Sequence, residues 1–271
     1  MILIEQKKTY PFQSRNLTIG TNGVNSPDNL FDGYLDSMAF FSRAKNAAEI
    51  LDDATLVTYL PFDGNSLLDS GPLQINGTGT SYSYTRSGRR NGGLKLSGAL
   101  SYVQVTGLRR FGTYKWPYSV SIWIKPTSVS GGTLMHLSSR TDGAQAGGWC
   151  LPIMCFNTFG QIFAHSWKGG AIVSITGPTI TANMWTHVVI TYSSTNGESL
   201  YVNNVLIGTT SGYGFDTGDV PMTLTLGNSL DGTTTCNAGN CQMGQYAGLM
   251  DEFYVFAREL TASEVSTLYN I

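Results

Sequence analysis

Four cysteines stand in two pairs, Cys150 with Cys155 and Cys236 with Cys241, with four residues between the members of each pair. Zinc sites usually use tighter Cys-x2-Cys pairs or companion histidines. His136, His165 and His187 each sit alone in an apolar run, so the cysteine spacing reads as disulfide chemistry. Cys236-Asn-Ala-Gly-Asn-Cys241 is a polar, pliable loop whose ends can close within the roughly 4.4–6.8 Å Cα separation of a disulfide. A Cys236–Cys241 bond is therefore the simplest expectation. Cys150 and Cys155 flank Leu-Pro-Ile-Met, and an extended chain would hold them about 16 Å apart. They either bend together at Pro152, pair with the 236–241 loop, or stay as buried thiols.

Oxygen ligands form a second group. Asp63-Gly-Asn65 and Asp69-Ser-Gly71 make an oxygen-rich loop of the kind that wraps Ca²⁺, which takes six to eight carboxylate, amide and carbonyl oxygens. Asp251 joins them if the first and last strands are neighbours. The competing account makes Asp63, Asn65 and Asp69 ordinary turn residues that hydrogen-bond their own backbone. For sugar contact, flat side chains with a polar rim are the candidates, and Trp116 and Tyr213 lie in polar or Gly-rich loop segments. Trp123, Trp149, Trp167 and Trp185 instead follow strand alternation and read as core.

These residues need a scaffold, and the composition describes one. The chain has 271 residues, 41% hydrophobic and only 13% charged, with 32 glycines. That balance suits strands joined by turns better than helices with Lys/Glu surfaces. Strand signals run from Leu56–Phe62 through Tyr118–Lys125, Trp149–Phe156, Trp185–Tyr192 and Leu200–Val202 to Gly248–Phe256. Asn196-Gly197 and Asn203-Asn204 supply turns that need φ above zero. The pattern predicts an all-β, two-sheet antiparallel jelly-roll sandwich with one short helix closing each repeat.

The repeat is explicit. Gly33-Tyr-Leu-Asp36, Phe41-Ser-Arg43 and Ala47-Ala-Glu49 return in register as Gly248-Leu-Met-Asp251, Phe256-Ala-Arg258 and Ala262-Ser-Glu264. Asn46-Ala-Ala-Glu49 and Thr261-Ala-Ser-Glu264 are capping boxes that start the closing helices. Residues 1–53 are thus the end of one copy and 54–271 a complete one, with the break at Asp52–Thr55. The second copy carries extra residues between its blocks. Apolar residues Leu35, Phe40, Phe41 and Ile50 in the tail need cover, which predicts docking on the same chain or strand addition to a neighbouring copy.

A net charge of −2, with no basic cluster larger than the pairs Lys7-Lys8, Arg89-Arg90 and Arg109-Arg110, argues against a nucleic-acid partner; the two Arg pairs read as solvated turns. No stretch of about 18 apolar residues is present to span a membrane. The start, Met1-Ile-Leu-Ile-Glu5, is too briefly apolar for a signal peptide, so a piece of a longer protein is expected. The sequons Asn16-Leu-Thr18 and Asn76-Gly-Thr78 are compatible with a secreted glycoprotein.

Tyr118-Ser-Val-Ser-Ile-Trp-Ile-Lys125-Pro126, Trp185-Thr-His-Val-Val-Ile-Thr-Tyr192, Leu200-Tyr-Val-Asn-Asn204 and Gly248-Leu-Met-Asp-Glu-Phe-Tyr-Val-Phe-Ala-Arg258 resemble the laminin-G-like (concanavalin A-like lectin/glucanase) domains. That resemblance implies an extracellular adhesion or carbohydrate-binding module that meets a glycan or another protein, and domains similar to it often hold structural Ca²⁺. Glucanases of this fold carry a Glu-x-Asp-x-x-Glu strand with two carboxylates about 5 Å apart for retaining hydrolysis. No such run occurs, and Asp251-Glu252, adjacent on a strand, point to opposite faces. The expectation is a non-enzyme; the rival is a structural or assembly unit with no small ligand.

Overall fold

A computed structural model describes residues 19, 20, 30–35, 38 and 40–271. The chain divides into two compact units, Met1–Lys45 and Asn46–Ile271. Most of the smaller unit, including Asn16 and Asp36, lies outside the described residues, and so does most of the segment expected to dock or add strands. Its described apolar residues Leu35, Phe40 and Phe41 are exposed. Helix α1 (Ala47–Thr55) belongs with the larger unit, ahead of the break read at Asp52–Thr55.

The larger unit is the expected sandwich. One sheet runs in the order β13 (Val205–Thr209), β12 (Gly197–Val202), β11 (Thr186–Ser193), β6 (Tyr118–Pro126), β15 (Gly248–Phe256), β4 (Gly93–Leu96) and β3 (Tyr82–Thr85). Strand β1 (Leu56–Leu60) pairs with the second half of β15, beyond the part that β4 takes, so the first and last strands are neighbours. The facing sheet runs β10 (Ala171–Thr179), β9 (Gln161–Lys168), β8 (Cys150–Phe156), β7 (Thr133–Ser138), β14 (Met222–Leu226), β5 (Tyr102–Leu108) and β2 (Thr78–Thr80). Every paired ladder is antiparallel.

Alternation sorts the side chains. Tyr118, Val120, Ile122 and Ile124 of β6 enter the core between the sheets, as do Met222, Leu224 and Leu226 of β14. Each such side chain contributes about 1.5–3 kcal/mol by leaving water. Asn203 and Asn204, at φ 49 and 66, make the tight β12–β13 turn, and Gly197 at φ 82 opens β12.

Both outer faces are covered. On the first sheet, α3 (Ala262–Tyr269) packs Val265 against Val189, Phe256 and Leu260. Both helices start with the expected capping boxes, Asn46 with Glu49 and Thr261 with Glu264. On the second sheet the cover is the loop that holds the short helix α2 (Gly232–Thr235), tied down by Cys150–Cys236 and Cys155–Cys241.

That pairing corrects the expected Cys236–Cys241 bond. Cys150 and Cys155 are five positions apart, so a regular strand would send them to opposite faces. The β7–β8 register slips between Met135 and His136, leaving Ile153 of β8 as the extra residue. The slip returns both sulfurs to one face. The loop lies across them with Cα separations of 5.8 and 5.6 Å.

Candidate functional site

One end of the sandwich is open. The start of β1, the end of β5 and the end of β15 leave a cleft of about 240 Å³, floored by Leu56, Val57, Ile75, Leu108, Phe111 and Phe256. Arg109 and Arg110 line it from the turn after β5, and Pro117 lines it from the start of β6. Phe111 turns inward at 4% exposed and packs its ring, tilted, against that of Tyr118, which pins that turn to the core.

Trp116 stands at this mouth. Its ring N–H donates to the Ala257 carbonyl at 3.4 Å, and Ala257 lines the cleft. The Arg110 guanidinium sits 5.1 Å above its ring, a cation–π contact. Lys115, with φ at 62, bends the backbone just before it, and the indole is 38% exposed. The arrangement is a flat aromatic and two cations around an apolar hollow, which can stack a ring face while donating hydrogen bonds to oxygens at its edge.

The other expected contact residue is elsewhere. Tyr213 is 6% exposed; its hydroxyl meets that of Ser166, and its carbonyl accepts the Tyr192 hydroxyl at 2.7 Å. The reading of Tyr213 as a ligand residue is therefore corrected. Gly212 and Gly214 let the backbone tuck against Thr195 and Tyr114, where a Cβ would clash, and so carry the aromatic into the core.

The oxygen ligands do not converge as expected. Asp69 is spent on a turn: Oδ1 accepts the N–H groups of Tyr59 and Gly71 at 2.7 Å each, and Oδ2 accepts that of Ile75 at 2.8 Å. Asn65 sits in the short 3₁₀ turn Asp63–Asn65 at φ 57. Asp63 Oδ1 accepts the Gly92 N–H at 2.8 Å, and Asp251 Oδ2 accepts those of Arg89 and Arg90 at 2.7 and 3.0 Å. Asp63 and Asp251 thus hold one loop, 88–92, from two sides. Among the described residues, Asp63, Asp69 and Asp251 do not gather within 4.8 Å. The four residues Asp63, Asn65, Asp69 and Asp251 are not a single shell, because turn hydrogen bonds already claim Asp69.

Asp251 and Glu252 lie on a bulge of β15, with Glu252 at φ 50. Burial pushes the Asp251 carboxyl up to about 7, with Glu252 adding to it and backbone N–H groups opposing. Glu252 Oε2 accepts the hydroxyls of Tyr59 and Tyr254 at 2.8 and 2.9 Å. Both acids are at most 1% exposed. His187, 2.8 Å from the Ser121 hydroxyl, is buried as well, stacked on Trp123, and burial with Arg89 nearby lowers it to about 3.

Sequence reasoning missed that Arg109 and Arg110, read as solvated turns, line the cleft, and missed the histidines beside the cysteines. The first signal was present in outline: Trp116-Pro117 follows the Arg pair closely, as two turns at one strand end would require. The second was not, because His136, His165 and the Cys236–Cys241 segment meet only across strands.

A family model described as the concanavalin A-like lectin/glucanases superfamily matches residues 97–266. No curated protein matches by sequence. Among solved structures, domain 4 of AbnA, a GH43 extracellular arabinanase from Geobacillus stearothermophilus, in complex with arabinotriose, is 20% identical with a TM-score of 0.53, over 79% of this chain and 98% of that one. The binding domain of Paraclostridial Mosquitocidal Protein 1 is 19% identical with a TM-score of 0.57, over 80% of this chain and 52% of its own. The binding domain of botulinum neurotoxin DC in complex with rat synaptotagmin II is 16% identical with a TM-score of 0.54, over 80% and 52%. The chain spans about half the length of these two toxin domains.

Proposed function

The chain belongs to the concanavalin A-like lectin/glucanase superfamily, and from that premise we propose that it is a non-catalytic, extracellular carbohydrate-binding module whose ligand seat is the cleft at Trp116. One observation carries the reading: an exposed indole under a guanidinium at the mouth of an apolar cleft. A sugar ring lays its C–H face on Trp116 and Pro117 while Arg109 and Arg110 donate to its hydroxyl or carboxylate oxygens. A fold neighbour in complex with arabinotriose supports a glycan ligand, and one in complex with synaptotagmin II keeps a protein ligand as the alternative. The two disulfides support an oxidising compartment. No helix among the described residues is long and apolar enough to cross a membrane.

A glycan array tests this. Binding that is reproducible and lost in both Trp116→Ala and Arg110→Ala, with Tyr213→Phe unchanged, supports the seat. Silence across the array favours the rival, an assembly unit, which light scattering would then show as concentration-dependent self-association. New reducing ends on incubation with oligosaccharides would make it an enzyme.

The same reading includes a structural Ca²⁺ that Asp63 and Asp251 would hold beside the 88–92 loop. It is supported by two carboxylates on one loop and by the raised Asp251 carboxyl, whose charge a cation would offset. Ca²⁺ at a hundredfold its Kd should add about 2.7 kcal/mol of stability. Thermal melts that coincide in EDTA and in millimolar Ca²⁺ would remove the ion.

A further inference from the structure

Each disulfide has a buried imidazole beside it. Nε2 of His136 is 3.8 Å from Sγ of Cys236, and Nδ1 of His165 is 3.4 Å from Sγ of Cys241. In both groups, His136 with Cys150 and Cys236 and His165 with Cys155 and Cys241, the nitrogen and the two sulfurs lie within 4.8 Å of one another. Both rings are fully buried, and in each the second nitrogen lacks a hydrogen bond of normal geometry.

The loop leaves room for them. A Cβ on Gly232 would stand 2.6 Å from Nε2 of His136, and one on Gly239 would stand 2.8 Å from Cε1 of His165. Two glycines, one over each ring, keep the space next to both sulfur–nitrogen groups clear. Two thiolates and a neutral imidazole are the donors a d¹⁰ cation takes, with bonds of about 2.3 Å to sulfur and about 2.0–2.1 Å to nitrogen. Tetrahedral angles would then set the sulfurs about 3.7 Å apart, a separation that side-chain rotation reaches over Cα distances of 5.8 and 5.6 Å.

We propose that this face is a redox-gated zinc site: oxidised it carries two disulfides, and reduced it binds one Zn²⁺ in each Cys₂His group. The Cys155–His165–Cys241 group is the tighter, because Nδ1 of His165 has only sulfur beside it, whereas Nε2 of His136 must release the Gly143 carbonyl at 2.9 Å. A dithiol reductant gives two electrons and two protons to each S–S bond and closes its own cyclic disulfide, leaving two thiols. Zinc displaces both thiol protons, so two protons leave for each ion bound. In either state the loop stays fastened over the sheet.

The test uses the whole chain, oxidised or reduced with a phosphine. Co²⁺ reports thiolate ligation through its charge-transfer absorption, and competition with a chromophoric chelator counts Zn²⁺. The expected result is two ions per reduced chain in two affinity classes and none per oxidised chain. His165→Gln should remove the tight class and His136→Gln the weak one. Comparing the two redox states needs no variant, so misfolding of either substitution leaves the question decidable. The proposal fails if the reduced chain binds no metal, if the oxidised chain binds equally, if both variants still bind two ions, or if the reduced chain with zinc lacks a folded near-ultraviolet dichroism signal.

Discussion

The two outer faces of the sandwich are covered by opposite means. Over the first sheet lies α3, which brings Val265, Leu268 and Tyr269 down onto Val189, Leu260 and Trp123. Over the second lies Gly232-Thr-Thr-Thr-Cys-Asn-Ala-Gly-Asn-Cys241, which apart from its two bridged cysteines owns no apolar side chain larger than alanine. A segment that cannot bury apolar area cannot repay its own ordering entropy, which costs about 1–2 kcal/mol per residue. The helix holds by packing; the loop holds because two covalent bonds remove the alternative of leaving. A cover can thus be built from side chains or from staples, and its composition says which.

Breaking the staples should give the largest effect. Each bridge closes a separation of 86 residues, so in the chain-entropy account the first is worth about 4–5 kcal/mol. The second, once the first is present, closes only the short segments between the pairs and adds about 2–3 kcal/mol. Urea melts without added metal should therefore show a loss of about 2–3 kcal/mol for Cys155→Ser/Cys241→Ser and of roughly 7 for all four cysteines replaced. Equal losses for the double and the quadruple variant would show that the loop does not stabilise the fold by closure.

The next effect sharpens the contrast through pH. His136 and His165 lie under the loop and His187 beneath α3, and burial lowers all three well below 6.5. Their unfolded forms take protons first, so the stability they contribute is present above pH 6.5 and lost as pH falls toward about 4. Each should cost up to about 3 kcal/mol at the acid end. Replacing the two loop-side histidines with Gln should flatten the acid limb of stability against pH more than His187→Gln does. Glu198, fully buried and pushed up to about 8, acts in the opposite sense: its folded form keeps the proton that the unfolded form releases, so stability falls between pH 4.5 and 8. Glu198→Gln should remove that alkaline decline.

On the helix side the effects are smaller. Val265→Ala deletes two fully buried methyl groups and should cost about 2 kcal/mol in denaturant melts. Thr261→Ala removes a capping box and should cost about 1 kcal/mol, with Thr261→Ser restoring most of it. If Val265→Ala costs nothing, α3 is not held by packing and the comparison collapses.

The helix side was also the legible side. Thr261 three residues before Glu264 is a local pattern with a local cause, and Tyr118–Lys125 alternates because one face of β6 is core. The site was legible only in part. Trp116 was singled out because an indole in a polar run is out of place, and the structure leaves it part-exposed beside the cleft. Tyr213 sits in an equally polar-looking run and went the other way, since the glycines beside it permit either outcome.

The order and alternation of residues by themselves determined the all-β sandwich, the antiparallel turns and the capped helices, because each depends on neighbours a few positions apart. Only the tertiary structure decided the rest. It slipped β8 by one residue and so paired Cys150 with Cys236 and Cys155 with Cys241. It sent Asp69 to one turn and Asp63 with Asp251 to another loop, and it set Arg110 over Trp116. These contacts join strands that are far apart in the chain. A side chain's partners there follow from which strands end up adjacent and in what register, and a single added residue in one strand reverses the face that every later side chain presents.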